Sequence, residues 1–297
     1  IKLDPYFRQF NHRDITFSLM YAFSENFVLP LSHDEVVHMK GSFINKMPGT
    51  DDEKFPGVRA FYTYMLTHPG KKLLFMGAEF GQFNEWHYEH SLDWHLLKQE
   101  RHKKLQKFFQ SANQFYLANP ELWQLDFSWE GFQWICADDN QGNCAAFLRK
   151  DKKGQFLLVV CNFSPIHRAG YQVGVPFPGR YELVFNTDDE AFGGAGLGDH
   201  EPLKSEYIPC HGQEQSISID LPPMSAVIYK CIKKFPPRRK KAELQPAAKP
   251  KQAVKRAVKS KSAAKAKPAK STASQGEAPA KSTAAKKPAV KKPAKPS

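Results

Sequence analysis

Asn26-Phe-Val-Leu-Pro-Leu-Ser-His33 and, further on, Lys71-Lys-Leu-Leu-Phe-Met76 are the two stretches that decide the fold. Each is a short apolar run of strand length. The first leads into polar His33-Asp34-Glu35, the second into Gly77-Ala-Glu-Phe-Gly81. Between them come a polar loop with the turn signal Pro48-Gly49 and a helical pattern from Val58 to His68 through Phe61, Tyr64 and Met65, ended by Pro69-Gly70. Strand, loop, helix and strand at this spacing predict βα units and a parallel sheet.

Upstream, Asp14 to Phe23 reads as a helix, with Ile15, Leu19 and Phe23 recurring every four residues. Downstream, Leu105, Phe108, Phe109, Ala112, Phe115 and Tyr116 follow the i, i+3, i+4, i+7 rule of one long amphipathic helix, closed by Asn119-Pro120. Beyond about Leu125 the texture changes. Trp134–Cys136, Ala145–Leu148, Phe156–Phe163, Tyr181–Phe185, Ser216–Leu221 and Ala226–Tyr229 are short strands between turn residues, which predicts a small antiparallel sandwich. From Lys233 the chain is a Lys/Ala/Pro/Ser tract with loose repeats such as Ala266-Lys-Pro-Ala-Lys270. Proline recurs too often there for a helix and apolar bulk is missing, so residues 233–297 read as disordered.

Charge divides the chain in the same place. The 297 residues carry a formal +13, but from Lys233 onward 21 Lys+Arg face two acids, a local +19. Residues 1–232 hold 22 basic and 28 acidic side chains, or −6, and nearly all of the 38 Phe, Trp and Tyr. A basic nucleic-acid binder is therefore excluded for the body, which has the aromatic content to bury a core that its tail lacks. No apolar run approaches the roughly 18 residues of a membrane span, and Lys2, Asp4 and Arg8 interrupt any leader-like segment. Because residue 1 is Ile rather than Met, residues upstream are expected. The five cysteines, odd in number and without a Cys-x-x-Cys pair, favour free thiols and a cytoplasmic location.

Two constellations could carry chemistry. His33 and Asp34 stand at the carboxyl end of a predicted parallel strand, where side chains face the ligand side of such sheets; the alternative is that they only cap the next segment. Glu79 after the second strand, with Phe80, Phe83, Trp86, Tyr88 and Trp94, suits a sugar, which offers hydroxyls at its edge and CH groups on its face; equally, these aromatics could be core. A zinc reading of Glu35-Val-Val-His38 fails because Asp34 holds the place of the His that precedes the Glu, and His33 and His38 are five apart. His87, His90 and His95 have no supporting Cys and read as packing or surface residues, so no metal is expected. Gly193-Gly-Ala-Gly-Leu-Gly198 lacks both nucleotide-binding spacings and reads as a surface loop. No Gly-x-Ser-x-Gly elbow occurs.

Leu29-Pro-Leu-Ser-His-Asp-Glu-Val-Val-His38, Lys46-Met-Pro-Gly49, His68-Pro-Gly-Lys-Lys-Leu-Leu-Phe-Met-Gly77, Glu79-Phe-Gly-Gln82, Glu85-Trp86 and Ser91-Leu-Asp-Trp-His-Leu-Leu97, in this order, resemble the glycogen (1,4-α-glucan) branching enzymes of the α-amylase superfamily. Val160-Cys-Asn-Phe-Ser-Pro165, Gly170-Tyr-Gln-Val-Gly-Val-Pro176 and Phe192-Gly-Gly-Ala-Gly196 extend the resemblance, which runs from about Asp4 to Tyr229. It implies an α/β plus all-β chain: the C-terminal part of a (β/α)₈ barrel over 1–124, an antiparallel β-sandwich over 125–232 and the basic tail over 233–297. It also implies an α-glucan substrate and no cofactor. Asp34 would be the third carboxylate, stabilising the transition state, with His33 beside it and Glu79 and Trp86 binding substrate. The nucleophilic Asp and the acid/base Glu are expected on barrel strands ahead of Ile1, so these residues alone are expected to be inactive. Met39, where the family usually has Gly, and Glu89, where Asp is common, depart from the pattern. The tail resembles histone-like tails and is either a polyanion contact or a solvated extension. Competing readings are a related α-glucan hydrolase and a non-catalytic glucan-binding fragment.

Overall fold

The chain enters through two single-turn helices, α1 (Pro5–Arg8) and α2 (Arg13–Thr16), the second continuing as a 3₁₀ turn over Phe17–Met20. The helix expected from Asp14 to Phe23 is thus broken into short turns. β-Branched and aromatic residues crowd the segment and lose side-chain freedom in a helix. Of its apolar residues, Phe17, Met20 and Tyr21 stay exposed, so little burial offsets that loss. A computed structural model describes residues 1–37 and 39–236. His38 and the expectation of disorder over 237–297 lie outside the described residues.

β1 (Val28–Leu31) and β2 (Lys71–Leu74) pair in parallel, Val28 opposite Lys71 and Leu31 opposite Leu74, with α3 (Asp51–Thr67) crossing between them. This is the expected βα arrangement, with an earlier helix start. A capping box sets that start: the Thr50 hydroxyl accepts from Glu53 N at 3.5 Å, and the Glu53 carboxylate accepts from Thr50 N at 2.7 Å. Asp51, Asp52 and Glu53 also oppose the positive end of the helix. Pro56, which reads as a breaker in the sequence, lies inside α3. The helix ends where Pro69 forces His68 into extended backbone, ψ 148°. α4 (Glu100–Ala118) buries His102, Leu105, Phe108, Phe109 and Ala112 along one stripe, the spacing read from the sequence.

The remaining strands are β3 (Phe132–Asp139), β4 (Cys144–Lys150), β5 (Phe156–Asn162), β6 (Arg168–Val175), β7 (Gly179–Asn186), β8 (Leu203–Lys204), β9 (Gln215–Leu221) and β10 (Ser225–Lys234). Six form an antiparallel sheet in the order β3-β4-β5-β10-β7-β8, while β6 and β9 pair separately, also antiparallel. β5 shows how the layers stack. Its Leu157, Val159 and Cys161 join a core with α3 and α4, whereas Phe156, Leu158 and Val160 join a second core with Val173, Val175, Ile217 and Ile219 of the β6–β9 pair. Period-two alternation therefore feeds two cores from one strand, which explains why β5 is buried throughout. β6 was invisible in the sequence because Gly170 and Gly174 dilute its apolar pattern. Lys233 and Lys234, counted with the tail by composition, belong to β10, and Phe235 N donates to Pro178 O at 2.7 Å.

A buried polar cluster fixes the end of α3 to the sheet. Arg149 of β4, fully buried, donates to Gly131 O, Thr67 O and Leu122 O and to Asp126 Oδ1 at 3.0 Å. Asp126 Oδ1 also accepts from Gly70 N at 3.0 Å, while Lys71 Nζ lies 3.0 Å from Oδ2, out of line for a hydrogen bond. Lys72 donates to His68 O and Gly70 O, and desolvation pushes its ammonium down to about 7. The His68-Pro-Gly-Lys-Lys run is thus the structural clasp between the parallel unit and the antiparallel sheet.

Candidate functional site

The parallel register of β1 and β2 brings their carboxyl ends level, and Phe75 N donates to Leu31 O at 2.8 Å just beyond the last pair. His33 and Asp34 leave β1 in a 3₁₀ turn, with His33 Nε2 3.2 Å from Asp34 Oδ1 and the side chains 58% and 72% exposed. The His33 ring stands 6.1 Å from that of Phe75, and Phe75 meets Trp86 edge-on at 5.3 Å. His33, Phe75 and Trp86 therefore form a line of rings across the strand ends, with the Asp34 carboxylate at one end of it. Such a line offers flat apolar faces beside a charged acceptor.

The loops after β1 and β2 are laced together. Trp86 N donates to Val36 O at 3.3 Å. Glu85 accepts from Met39 N at 3.0 Å and Gly41 N at 2.6 Å, and Ser42 Oγ and Asn45 Nδ2 both donate to Phe83 O. Lys40 Nζ donates to the Asp34 carbonyl at 2.6 Å. Lys46, whose ammonium is lowered by desolvation, donates in turn to Lys40 O. Glu85 thus holds two backbone amides of the loop that follows Asp34, and its own neighbour is Trp86.

Of the four residues picked from the sequence, His33, Asp34 and Trp86 gather at these strand ends. Glu79 lies on the 3₁₀ turn Ala78–Phe80 after β2, half-buried, and makes no hydrogen bond or ion pair with the other three. The clefts of about 800 and 760 Å³, beside α4 and at the start of α3, contain none of the four. A small hollow bounded by Val36, Ser42, Phe75, Met76, Asn84 and Trp86 opens beside the ring line.

Sequence reasoning missed Phe75 as the ring between His33 and Trp86, and Glu85 as the clamp. The Glu85-Trp86 pair was visible, but the clamp's partners are backbone amides 44 and 46 residues away. It also missed that His87, Glu89 and His90 converge on an exposed turn, their ligand atoms all within 4.8 Å of one another. The spacing i, i+2, i+3 was the available signal, and it has meaning only once a turn is known.

The described residues thus form a parallel βαβ unit with polar residues at its strand ends, followed by an antiparallel two-layer domain. Residues 134–232 match the family described as alpha amylase, C-terminal all-beta domain. Over about three quarters of its length the chain is similar to 1,4-alpha-glucan branching enzymes GlgB. It is 50% identical over 228 residues to that of Aquifex aeolicus (strain VF5), covering 76% of this chain and 36% of the relative. It is 50% identical over 229 residues to that of Saccharophagus degradans, covering 77% and 31%, and 47% identical over 231 residues to that of Halothermothrix orenii, covering 77% and 37%. The chain thus spans about a third of the length of these relatives, in their C-terminal region. Among the described residues no helix is long and apolar enough to cross a membrane.

Proposed function

We propose that this chain forms the C-terminal part of a 1,4-α-glucan branching enzyme. In this reading β1 and β2 are the last two strands of a (β/α)₈ barrel ending near residue 124, residues 125–232 are the C-terminal domain, and the protein works in the cytoplasm. The reaction is a retaining double displacement. A carboxylate attacks the anomeric carbon of an α-1,4 linkage while an acid protonates the departing oxygen. A sugar 6-hydroxyl then attacks the glucanyl intermediate, passing its proton to the carboxylate left by that acid and breaking the bond to the first carboxylate, which creates an α-1,6 branch. The two reacting carboxylates would come from barrel strands ahead of Ile1. Asp34, beside His33, would hold sugar hydroxyls at the cleavage point, Trp86 would offer its face to a neighbouring ring and Glu79 would hydrogen-bond substrate; no cofactor takes part.

The observation that carries this reading is the position of His33 and Asp34 at the carboxyl end of a parallel strand, level with the Phe75–Trp86 ring pair, in a chain half identical to branching enzymes. Incubation of amylose with the protein encoded by the complete reading frame tests it. Branching lowers the iodine colour without a matching rise in reducing ends, and a rise in step with the colour loss would mark a hydrolase instead. For residues 233–297, a non-specific polyanion contact is supported by the local charge of +19. Retention on DNA should fall steeply with salt and disappear on truncation after Pro236; retention unchanged by truncation contradicts it.

A further inference from the structure

The segment from Asn84 to Asp93, which carries Trp86, is a turn anchored at several points. Asn84 Nδ2 donates to Asp93 Oδ2 at 2.9 Å, Asp93 N donates to Gln82 Oε1 at 2.9 Å, and His90 N closes the turn onto His87 O at 3.2 Å. The closure brings two imidazoles and a carboxylate to one side. The His87 and His90 ring centroids lie 4.9 Å apart, and His87 Nδ1 is 4.0 Å from Glu89 Oε2. Tyr88 Oη donates to Glu89 Oε1 at 3.1 Å, which leaves Oε2, the oxygen facing His87, available. The bond from Glu89 N to His87 Nδ1 is long, 3.3 Å, and is readily given up.

From this geometry we propose that His87, Glu89 and His90 form a divalent transition-metal site. Two imidazoles and one carboxylate select Zn²⁺, Ni²⁺ or Cu²⁺ over Mg²⁺ and Ca²⁺, which take oxygen ligands. At metal–ligand distances of about 2.1 Å, tetrahedral ligands sit about 3.4 Å apart. The present separations, all within 4.8 Å, close to that value through rotation of three exposed side chains. Exposure also lets the ion keep water in its remaining positions, so binding carries little desolvation penalty. The ion would cross-link the turn one residue after Trp86 and hold that ring against Phe75.

The test is calorimetric titration of the full 297-residue chain with ZnCl₂ in chelator-free buffer. The sequence from Lys233 onward contains no His or Cys and offers no competing ligands of those types. A single site is expected, weakened by about tenfold or more in each of His87→Ala, Glu89→Gln and His90→Ala. It should be unchanged in His95→Ala, whose imidazole lies on the following 3₁₀ turn. Co²⁺ should give visible d–d bands in the parent that vanish in the His87→Ala/His90→Ala double variant. The variants should match the parent in urea midpoint, since the altered side chains are exposed. Absence of Zn²⁺ binding in the parent, binding retained in the double variant, or equal weakening by His95→Ala would each overturn the proposal.

Discussion

Met39 holds φ at 65° and is almost fully exposed, so nothing its side chain touches repays the left-handed geometry, which costs a residue with a Cβ about 1–2 kcal/mol. The backbone is held there by Glu85, which accepts from the amides of Met39 and Gly41. Glycine adopts this φ freely but loses more chain entropy on folding. Met39→Gly should therefore raise stability by about 0.5–1 kcal/mol, read as a higher urea midpoint; a lower midpoint contradicts the strain. His68 makes a second residue-scale prediction. Its Nε2 lies 2.8 Å from Ser18 Oγ and its Nδ1 2.9 Å from Pro69 O, and burial lowers its imidazole to about 4. An unfolded histidine titrates near 6.5. Between these values the unfolded chain carries a proton that the folded chain does not. Stability from this residue is therefore complete above pH ~6.5 and falls as the pH drops towards 4, by about 1.4 kcal/mol per unit. The stability gap between parent and His68→Gln should narrow by about 2 kcal/mol from pH 7 to 4.5. A gap independent of pH would mean that His68 is not held neutral.

Between elements, Arg149 is the tie that matters most. Its guanidinium meets carbonyls from the end of α3 and from the turns before β3, and it neutralises buried Asp126. Arg149→Met keeps the aliphatic stem but takes the buried charge partner from Asp126 and leaves it only the half-exposed Lys71 ammonium. It should cost about 3–5 kcal/mol, and Arg149→Lys should recover only part because an ammonium lacks the planar fork. A loss below about 1 kcal/mol, where exposed ion pairs fall, would show that the cluster does not join α3 to β4. The elements themselves were unequally legible. β1, β2 and α4 could be read because their apolar spacing is set by the face they bury, as with Leu105, Phe108 and Ala112. The start of α3 was hidden by Pro56, a helix breaker that α3 tolerates while burying Phe55, Val58, Tyr62, Met65 and Leu66. β6 was hidden by its glycines. His33 and Asp34 were legible as a site because a strand end places them. Glu85 and the His87–His90 turn were not, since their roles exist only through contacts that the fold creates.

At the scale of the whole molecule, one core runs from α3 and α4 into the face of the antiparallel sheet formed by Phe147, Leu157, Val159 and Ile228. Leu29 and Leu31 of β1 and Leu74 of β2 pack against this same core. In the proposed function these strand ends serve glucan branching, with Asp34 acting on the sugar and contributing little to the fold. Its most direct test is proton NMR of amylose treated with the protein encoded by the complete reading frame, compared with its Asp34→Asn variant. The parent should build up the α-1,6 anomeric signal. Asp34→Asn should lose about 10²-fold or more of that rate at an unchanged urea midpoint, because the side chain is largely exposed. Equal α-1,6 formation by parent and variant, or none by the parent, would contradict the account.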